Sequence, residues 1–243
     1  MMMSSLRRIA GAVAVCATLV SPVLAAPEMD AATEGKLKTL LAGPQRTAPN
    51  KARDAYRHPL ETLKFVGLKQ DKAVLEVAPG GGWWKEFLEP LLAEKGKYIS
   101  ANLKPNTQPV PAGSMDLVLT FRNIHNWMGS DTAKGMFDVM YASLKPGGYL
   151  GVEEHRAPTT KDQDPKAAMG YVREDYAIKL IESAGFKLVA RSEVNANPKD
   201  TKDYPKGVWT LPPNYAEGEK DKAKYTAIGE SDRFTLLFQK PAT

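Results

Sequence analysis

Residues 74–84 constrain the fold more than any other part of this sequence. An apolar run at 74–77 breaks on the glycines at 80–82, and an amphipathic pattern follows at once. This order predicts a strand, a tight turn and a helix. Glycines let such a turn adopt positive φ angles and approach a ligand closely, while the N–H groups of the new helix point into the crevice. We therefore predict a ligand site at this turn, with an ordinary strand-to-helix turn as the alternative.

Strands and helices alternate along the rest of the chain. Apolar runs predict further strands at 97–103, 115–121, 149–153, 186–194 and 233–239, and periodic apolar residues predict helices between most of them. This spacing predicts an α/β fold, in which helices cover both faces of a mostly parallel sheet. Because no helix leads directly into the last strand, we expect that strand to be antiparallel.

The first 25 residues have the three-part pattern of a signal peptide. Arg7 and Arg8 precede an apolar stretch at 9–20, and small residues follow up to Ala25. The apolar stretch is shorter than the roughly 20 residues that a membrane-spanning helix needs. We therefore predict cleavage after Ala25, a periplasmic or secreted protein and no stable membrane anchor.

Composition narrows the possible functions. Of the 33 Lys and Arg residues, cleavage removes Arg7 and Arg8, which leaves 31 against 28 Asp and Glu. It also removes Cys16, the only cysteine, so we expect no disulfide framework and no cysteine chemistry in the mature chain. The lysines are scattered, without the basic block that tracks a phosphate backbone, so nucleic acid is not an expected partner.

The mature chain is predicted to be one domain with two additions. Residues 26–50 show little periodicity and are expected to form a loosely attached N-terminal arm. The domain proper spans 51–243. Within it, residues 195–232 are rich in Lys, Asp, Pro and Tyr and are too long for a plain connection, so we predict a cap insertion there.

Two polar clusters follow predicted strands at the sheet edge where open α/β folds bind ligands. One spans 122–127, and the other spans 153–156. His125 is the candidate general base, and a histidine that merely fixes the loop by hydrogen bonds is the alternative. Glu154 and His155 form a second candidate acid–base pair, although Glu154 with Arg156 would equally suit a structural ion pair.

Three features together resemble the class I S-adenosylmethionine (SAM)-dependent methyltransferases. They are the glycine turn after the first strand, Asp116 at the head of a strand, and residues 144–148 before the next strand. More narrowly, the chain is similar to a family of exported, predicted methyltransferases. The matching segments are 53–59 (RDAYRHP), 79–83 (PGGGW), 120–127 (TFRNIHNW), 154–156 (EHR), 208–213 (VWTLPP) and 229–233 (GESDR).

The resemblance implies a Rossmann-like sheet, SAM as the cofactor and methyl transfer to a small-molecule substrate. It assigns cofactor binding to Glu76, Ala78, Gly80, Gly81, Gly82 and Asn102. Methyl transfer needs the acceptor held in line, and an oxygen or nitrogen acceptor must lose a proton during or after attack, so we assign the catalytic role to His125 with Asn123. The alternative for Asn123 and Asn126 is that they shape the turn or hold the substrate. The expected substrate-binding residues are Arg122, Asn126, Trp127, Glu154, His155 and Trp209. Trp127 would equally suit the core, and Trp209 would equally suit a residue that pins the cap to the domain.

The chain departs from the usual class I pattern at three points. Asn102 stands where an acidic residue usually binds the ribose hydroxyls, and Ala78 replaces the first glycine of the commoner turn. The interval between Asn102 and Asp116 is too short for the helix, third strand and second helix that normally supply one wall of the adenine pocket. We therefore expect a sheet that lacks the third-strand region.

Two other functions are compatible with the sequence. The first is a non-catalytic periplasmic binding or envelope-associated protein on a degenerate methyltransferase fold. The second is a hydrolase that uses His125 or the Glu154 and His155 pair, but no nucleophile-elbow motif supports it. The spacing of His58, His125 and His155 matches no compact ligand motif, so no metal site is predicted. The sequence does not indicate an oligomeric state.

Overall fold

The computed structural model describes residues 26–242, so the predicted signal peptide at 1–25 lies outside the described residues. The strands are β1 (Ala73–Val77), β2 (Lys97–Ala101), β3 (Met115–Phe121), β4 (Leu144–His155), β5 (Lys187–Ser192) and β6 (Arg233–Gln239). The α-helices are α1 (Ala31–Ala42), α2 (Ala48–Ala52), α3 (Asp54–Arg57), α4 (Pro59–Phe65), α5 (Lys85–Leu92), α6 (Ile124–Gly129), α7 (Ala133–Ser143), α8 (Glu174–Glu182) and α9 (Lys222–Ile228). A 3₁₀ helix spans Gly207–Thr210.

The strands form one sheet in the order β2-β1-β3-β4-β6-β5. Strand β1 pairs in parallel with β2 and β3, and β3 pairs in parallel with β4. Strand β6 lies antiparallel between β4 and β5. The predicted α/β fold with an antiparallel last strand is therefore confirmed. In this arrangement the carboxyl ends of β1, β3 and β4 meet at one edge of the sheet.

Helices bury both faces of the sheet. Along β3, Val118 belongs to the core on one face, which includes Phe137 of α7. Its neighbours Leu117 and Leu119 belong to the core on the other face, which includes Phe87 of α5. This alternation follows the two-residue period of a strand, and it explains why the continuous apolar run of β3 is buried on both sides.

The interval between β2 and β3 contains no helix and no strand in the described chain, apart from an isolated bridge between Lys104 and Thr107. Leu103 and Val110 from this loop are buried in the core. In the described chain β2 is therefore the edge strand of the sheet. The additional strand that usually follows this position in the class I pattern is missing, as the short interval predicts.

The N-terminal segment differs from the expected loose arm. The Asp30 carboxylate accepts a hydrogen bond from the Thr33 N–H at 2.7 Å and so caps helix α1. Leu37 of α1 is fully buried among residues of α4 and α5. The expectation of loose attachment is wrong, because a few leucines among lysines are enough to fix this short helix to the core.

Strand β4 begins at Leu144 rather than at Tyr149, where the apolar run predicted it. Asp116 explains part of this extension, since its carboxylate accepts hydrogen bonds from the Ala73 N–H at 2.8 Å and from Lys145 at 2.7 Å. These contacts join β1, β3 and β4 at the edge opposite their carboxyl ends. None of the helices in residues 26–242 is long and apolar enough to cross a membrane.

Candidate functional site

A cavity of about 510 Å³ opens at the carboxyl ends of β1, β3 and β4. Of the residues predicted for the site, it is lined by Glu76, Ala78, Gly80, Gly81, Arg122, Asn123, His125, Asn126, His155 and Trp209. Gly82, Asn102, Trp127 and Glu154 do not line it. The fold therefore brings most of the predicted cofactor, catalytic and substrate residues around one space.

The glycine turn forms one end of this cavity. Ala78, Gly80 and Gly82 have φ angles of 52°, 54° and 74°, in the left-handed region that favours glycine. A Cβ atom added at Gly80 or Gly81 would meet no heavy atom within 4 Å. Gly80 and Gly81 therefore leave room for a ligand to approach the backbone, whereas Gly82 serves the conformation of the turn.

Glu76 lies beneath the turn in β1 and is buried. Its carboxylate accepts a hydrogen bond from the Tyr98 hydroxyl at 2.6 Å. Burial raises the pKa of Glu76 to about 7, although this hydrogen bond and the charge of Arg122 oppose the increase. The carboxyl group therefore changes its charge near neutral pH, beside the cavity.

His125 and Glu154 form a buried pair at the centre of the site. His125 Nδ1 lies 3.0 Å from Glu154 Oε1, and the His125 backbone N–H donates to Glu154 Oε2 at 3.1 Å. The His155 N–H also donates to Glu154 Oε1, at 2.8 Å. In the tautomer that donates from Nδ1 to this carboxylate, Nε2 of His125 is free to accept a proton.

This pairing corrects the predicted acid–base pair of Glu154 and His155. The imidazole that Glu154 contacts is that of His125, and the ring of His155 instead places Nδ1 2.5 Å from Ser231 Oγ. Burial lowers the pKa of His155 well below its usual value, and the nearby His125 and arginines contribute. His155 is therefore neutral at pH 7 and supports the site without carrying charge.

The alternative ion pair of Glu154 with Arg156 is not formed. Arg156 instead contacts Glu193 at 2.6 Å and Glu174 at 3.8 Å.

The donor atoms of His125, Glu154 and His155 lie within 4.8 Å of one another, which is close enough to consider a metal ion. However, both carboxylate oxygens of Glu154 already accept hydrogen bonds from the two histidine residues. The third histidine, His58, contacts Asn195 at 3.3 Å and does not line the cavity. The contacts of Glu154 are those of a carboxylate that orients an imidazole.

Asn123 connects the ends of β1 and β3. Its amide nitrogen lies 3.3 Å from the Val77 carbonyl, 3.4 Å from the Ala78 carbonyl and 3.1 Å from Thr120 Oγ1. Its amide oxygen accepts no hydrogen bond from the described residues. These contacts suit a residue that shapes the turn, so its assignment as a catalytic residue stays a prediction.

Residues of the predicted cap also line the cavity. Trp209, in the 3₁₀ helix, packs edge-on against His125 with ring centroids 5.9 Å apart. The cap is held by buried Asp200, which accepts hydrogen bonds from the Tyr171 hydroxyl at 3.0 Å and from the Asp232 N–H at 2.8 Å. Trp127 is 7% exposed and belongs to the core, which agrees with the alternative interpretation for that residue.

An arginine cluster, which the sequence pattern did not reveal as a unit, lines the cavity in part. It consists of Arg53, Arg57, Arg122 and Arg233, with Glu153 and Glu230 between them. Four of these residues lie in the segments 53–59 and 229–233, which supported the family resemblance but had no assigned role. The arginines at 53 and 57 are separated by one helical turn, a spacing that could have suggested a shared face.

Glu230 is the centre of the arginine cluster. Its carboxylate lies 2.6 Å from Arg53 Nε, 3.4 Å from Arg57 Nε and 3.1 Å from an Arg233 nitrogen. Burial alone would raise the pKa of Glu230, but Arg233, Arg57 and Arg53 together lower it to about 2. Burial lowers the pKa of Arg57 to about 8, and the neighbouring charge of Arg122 contributes. Positive charge in the cluster therefore exceeds negative charge.

Several solved structures share this architecture. A SAM-dependent methyltransferase from Aquifex aeolicus superposes with a TM-score of 0.53 at 18% identity, covering 85% of this chain and 98% of that chain. The [4+2]-cyclase SpnF superposes with a TM-score of 0.52 at 15% identity, covering 92% of this chain and 100% of that chain. The fold is that of the class I SAM-dependent methyltransferases.

Sequence comparison finds no matching family model and no matching curated relative. At these identities the structural similarity establishes the fold and leaves the reaction open, since one of the neighbours is called a cyclase.

The described residues fit SAM at one end of the cavity. Gly80 and Gly81 offer open backbone, and the Glu76 carboxyl lies beside them. Beyond the turn, at the end of β2, Asn102 is exposed, and no residue of 85–120 lines the cavity. The chain therefore provides a place for the part of SAM that approaches the glycine turn, but residues 102–114 do not enclose the nucleoside.

Proposed function

We propose that this protein is an exported SAM-dependent methyltransferase that acts on a small molecule. The supporting observation is that one cavity joins the glycine turn to an imidazole, His125, which a buried carboxylate holds in place. The turn offers the backbone approach that a cofactor needs, and the imidazole offers a proton acceptor.

Each residue has a defined role in this proposal. Bound SAM would supply the electrophilic methyl group, with the open backbone at Gly80 and Gly81 as its binding surface. An oxygen or nitrogen acceptor would lose its proton to His125 Nε2 as it bonds to the methyl carbon, while the bond from that carbon to sulfur breaks and S-adenosylhomocysteine is released. Glu154 keeps the proton on Nδ1 and stabilises the imidazolium that results. Trp209 covers the site and limits the access of water.

Calorimetric titration of SAM and of S-adenosylhomocysteine into residues 26–243 tests the proposal. The shortened nucleoside region removes a few hydrogen bonds at about 1 kcal/mol each, so we expect weak binding in the micromolar to millimolar range. If neither compound binds at millimolar concentration, the protein is instead a non-catalytic binding protein on this fold.

Turnover with labelled SAM and a panel of small-molecule acceptors tests the catalytic assignment. We expect His125→Ala to retain the fold and SAM binding but to lose at least about a hundredfold in turnover. His58→Asn is the matched control, because His58 lies outside the cavity and has a φ of 40° that asparagine tolerates. Equal turnover in wild type and His125→Ala would remove His125 from the mechanism.

A further inference from the structure

The arginine cluster has more positive than negative charge. Four guanidinium groups share the carboxylates of Glu153 and Glu230. Three of the four arginines, Arg53, Arg57 and Arg122, line the cavity. Buried charges are normally paired, because removing a charge from water without a partner is unfavourable. The excess therefore faces the space where a ligand would lie.

Arg122 is the least satisfied member of the cluster. Its guanidinium approaches Glu153 and Glu230 only to 3.9 Å, beyond hydrogen-bonding distance. Its Nε atom is buried and has no hydrogen-bond partner among the described residues. The backbone of Arg122 has a φ of 60° and donates its N–H to the Glu153 carbonyl at 2.7 Å. An unfavourable backbone angle and unused donors at one residue are typical of a functional site.

Arg57 supports the same conclusion, and it approaches the same oxygen atom of Glu230 as Arg122 does. It is 3% exposed and packs its guanidinium over the Trp83 ring at 4.8 Å. Burial and the nearby charge of Arg122 lower the pKa of Arg57 to about 8. Burial is the larger cause of this shift, and the like charge of Arg122 adds to it although Glu230 opposes it.

The cluster extends along the sheet edge from the neighbourhood of the glycine turn to the start of β6. The turn follows β1, whereas Arg122 follows β3, and Glu230 and Arg233 lie at the start of β6. In the sheet order, β6 is three strands from β1, or roughly 14 Å at the usual strand spacing. Arg122 and His125, however, both follow β3, one strand from the turn. The Arg57 guanidinium lies 4.8 Å from the Trp83 ring. An anion bound by Arg122 and Arg57 would therefore lie near the imidazole that is the proposed base.

We propose that the acceptor carries an anionic oxygen group, a carboxylate or a phosphate, which binds Arg122 and Arg57. This inference rests on the proposed function, since it names the class of the acceptor. The guanidinium donors of Arg122 would pair with the anion, as Arg does in bidentate contacts. Val208, Trp209 and Pro212 line the same cavity, so the body of the acceptor is apolar or aromatic.

Calorimetric titration of sodium phosphate and sodium benzoate into SAM-free protein, at constant ionic strength, tests the anion site. Benzamide is the neutral counterpart of benzoate. We expect at least one anion to bind in the low millimolar range, and about tenfold weaker binding by the Arg122→Gln variant. Arg191→Gln is the matched control, because the Arg191 side chain is 59% exposed and lies on β5. This control removes the same charge outside the cavity and should not change the affinity.

Several results would overturn the inference. These are no binding of either anion at tens of millimolar, binding of benzoate that benzamide equals in affinity, or equal weakening by Arg122→Gln and Arg191→Gln. Circular dichroism checks the fold of each variant. Arg122→Lys is the second variant, since it keeps the charge but loses the planar pair of donors, and we expect it to weaken benzoate binding more than phosphate binding.

Titration of the anion in the presence of S-adenosylhomocysteine shows whether the anion site binds the acceptor or the cofactor. If the anion binds equally well with saturating S-adenosylhomocysteine present, the site belongs to the acceptor. If the two compete, the arginines bind the carboxylate of the cofactor, and the assignment to the acceptor fails. If the anion binds but SAM and S-adenosylhomocysteine do not, the anion site stands and the methyltransferase proposal fails. The two proposals are thus tested separately.

Discussion

At the scale of single residues, the contact between Glu154 and His125 decides the chemistry that the site can perform. Glu154 is fully buried, and its carboxylate lies 3.0 Å from Nδ1 of the imidazole. A carboxylate in this position selects one tautomer and stabilises the protonated ring. In the proposed reaction, the free Nε2 atom is the base.

Replacing Glu154 with glutamine tests this role. The amide keeps the shape of the side chain but cannot stabilise an imidazolium, so we expect turnover to fall by about two to four orders of magnitude with SAM binding unchanged. The measurement is kcat with labelled SAM. Ser231→Ala is the control, because it removes only the contact to His155, and it should change kcat much less. Unchanged kcat in Glu154→Gln would show that the carboxylate has only a structural role.

Glu76 links the site to the pH dependence of stability. Its pKa is raised from 4.5 to about 7 by burial, so between these values the folded state binds more protons than the unfolded state. The free energy of unfolding therefore falls as pH rises from 4.5 towards 7 and stays low above 7.

Glutamine at position 76 cannot ionise and can still accept the hydrogen bond from Tyr98. We expect Glu76→Gln to be more stable than wild type at pH 8, by up to about 3 kcal/mol, and equally stable near pH 4. Urea unfolding at the two pH values measures this difference. Glu89→Gln is the control, since the Glu89 side chain is 58% exposed. A constant difference between Glu76→Gln and wild type at both pH values would contradict the prediction.

At the scale of elements, the glycine turn combines two separate requirements. Gly82 has a φ of 74°, so a side chain there strains the backbone. Gly81 has no positive φ, and a Cβ atom added to it would meet nothing within 4 Å. Substitution of Gly82 therefore tests the stability of the turn, whereas substitution of the adjacent Gly81 tests ligand binding.

We expect Gly81→Val to fold normally but to bind SAM at least about tenfold more weakly, because the side chain would occupy the space next to the backbone. Gly82→Ala should lower the free energy of unfolding by about 1 kcal/mol or more, because alanine disfavours this φ. Calorimetry measures the affinity, and urea unfolding measures the stability. Wild-type affinity in a folded Gly81→Val variant would exclude the turn from the cofactor site.

At the scale of the whole molecule, the sheet edge and the cap enclose one cavity suited to a small molecule. Because SAM is made in the cytoplasm, export of the protein would require a supply of cofactor outside it. Export is therefore the part of the proposal that most needs a direct test.

We expect the mature protein to begin at Ala26 and to be recovered from the periplasm or the medium without detergent. The basis is the leader pattern of Arg7 and Arg8, an apolar stretch at 9–20 and Ala25. Intact-mass spectrometry of the fractionated protein measures the cleavage site. A retained Met1 or a lipidated Cys16 would contradict this prediction.

The sequence by itself determined the architecture. Apolar periodicity and the glycine break at 80–82 specify elements through contacts between near neighbours, and the bounds of β3 and β6 agree with their apolar runs. The short interval after Asn102 also predicted that the usual strand between β2 and β3 in the class I pattern is missing, because too few residues are available to form it. The sequence also placed His125 and Arg122 at the carboxyl edge of the sheet, and the structure confirms that position.

Only the tertiary structure decided which groups meet. Glu154 pairs with His125 rather than with the adjacent His155 ring, and α1 packs on the core through Leu37. The arginine cluster joins Arg53 to Glu230 across 177 positions of the chain. Pairings of this kind have no local signature, since they depend on strand order and burial. Strand order and burial are set when the whole chain closes around its core.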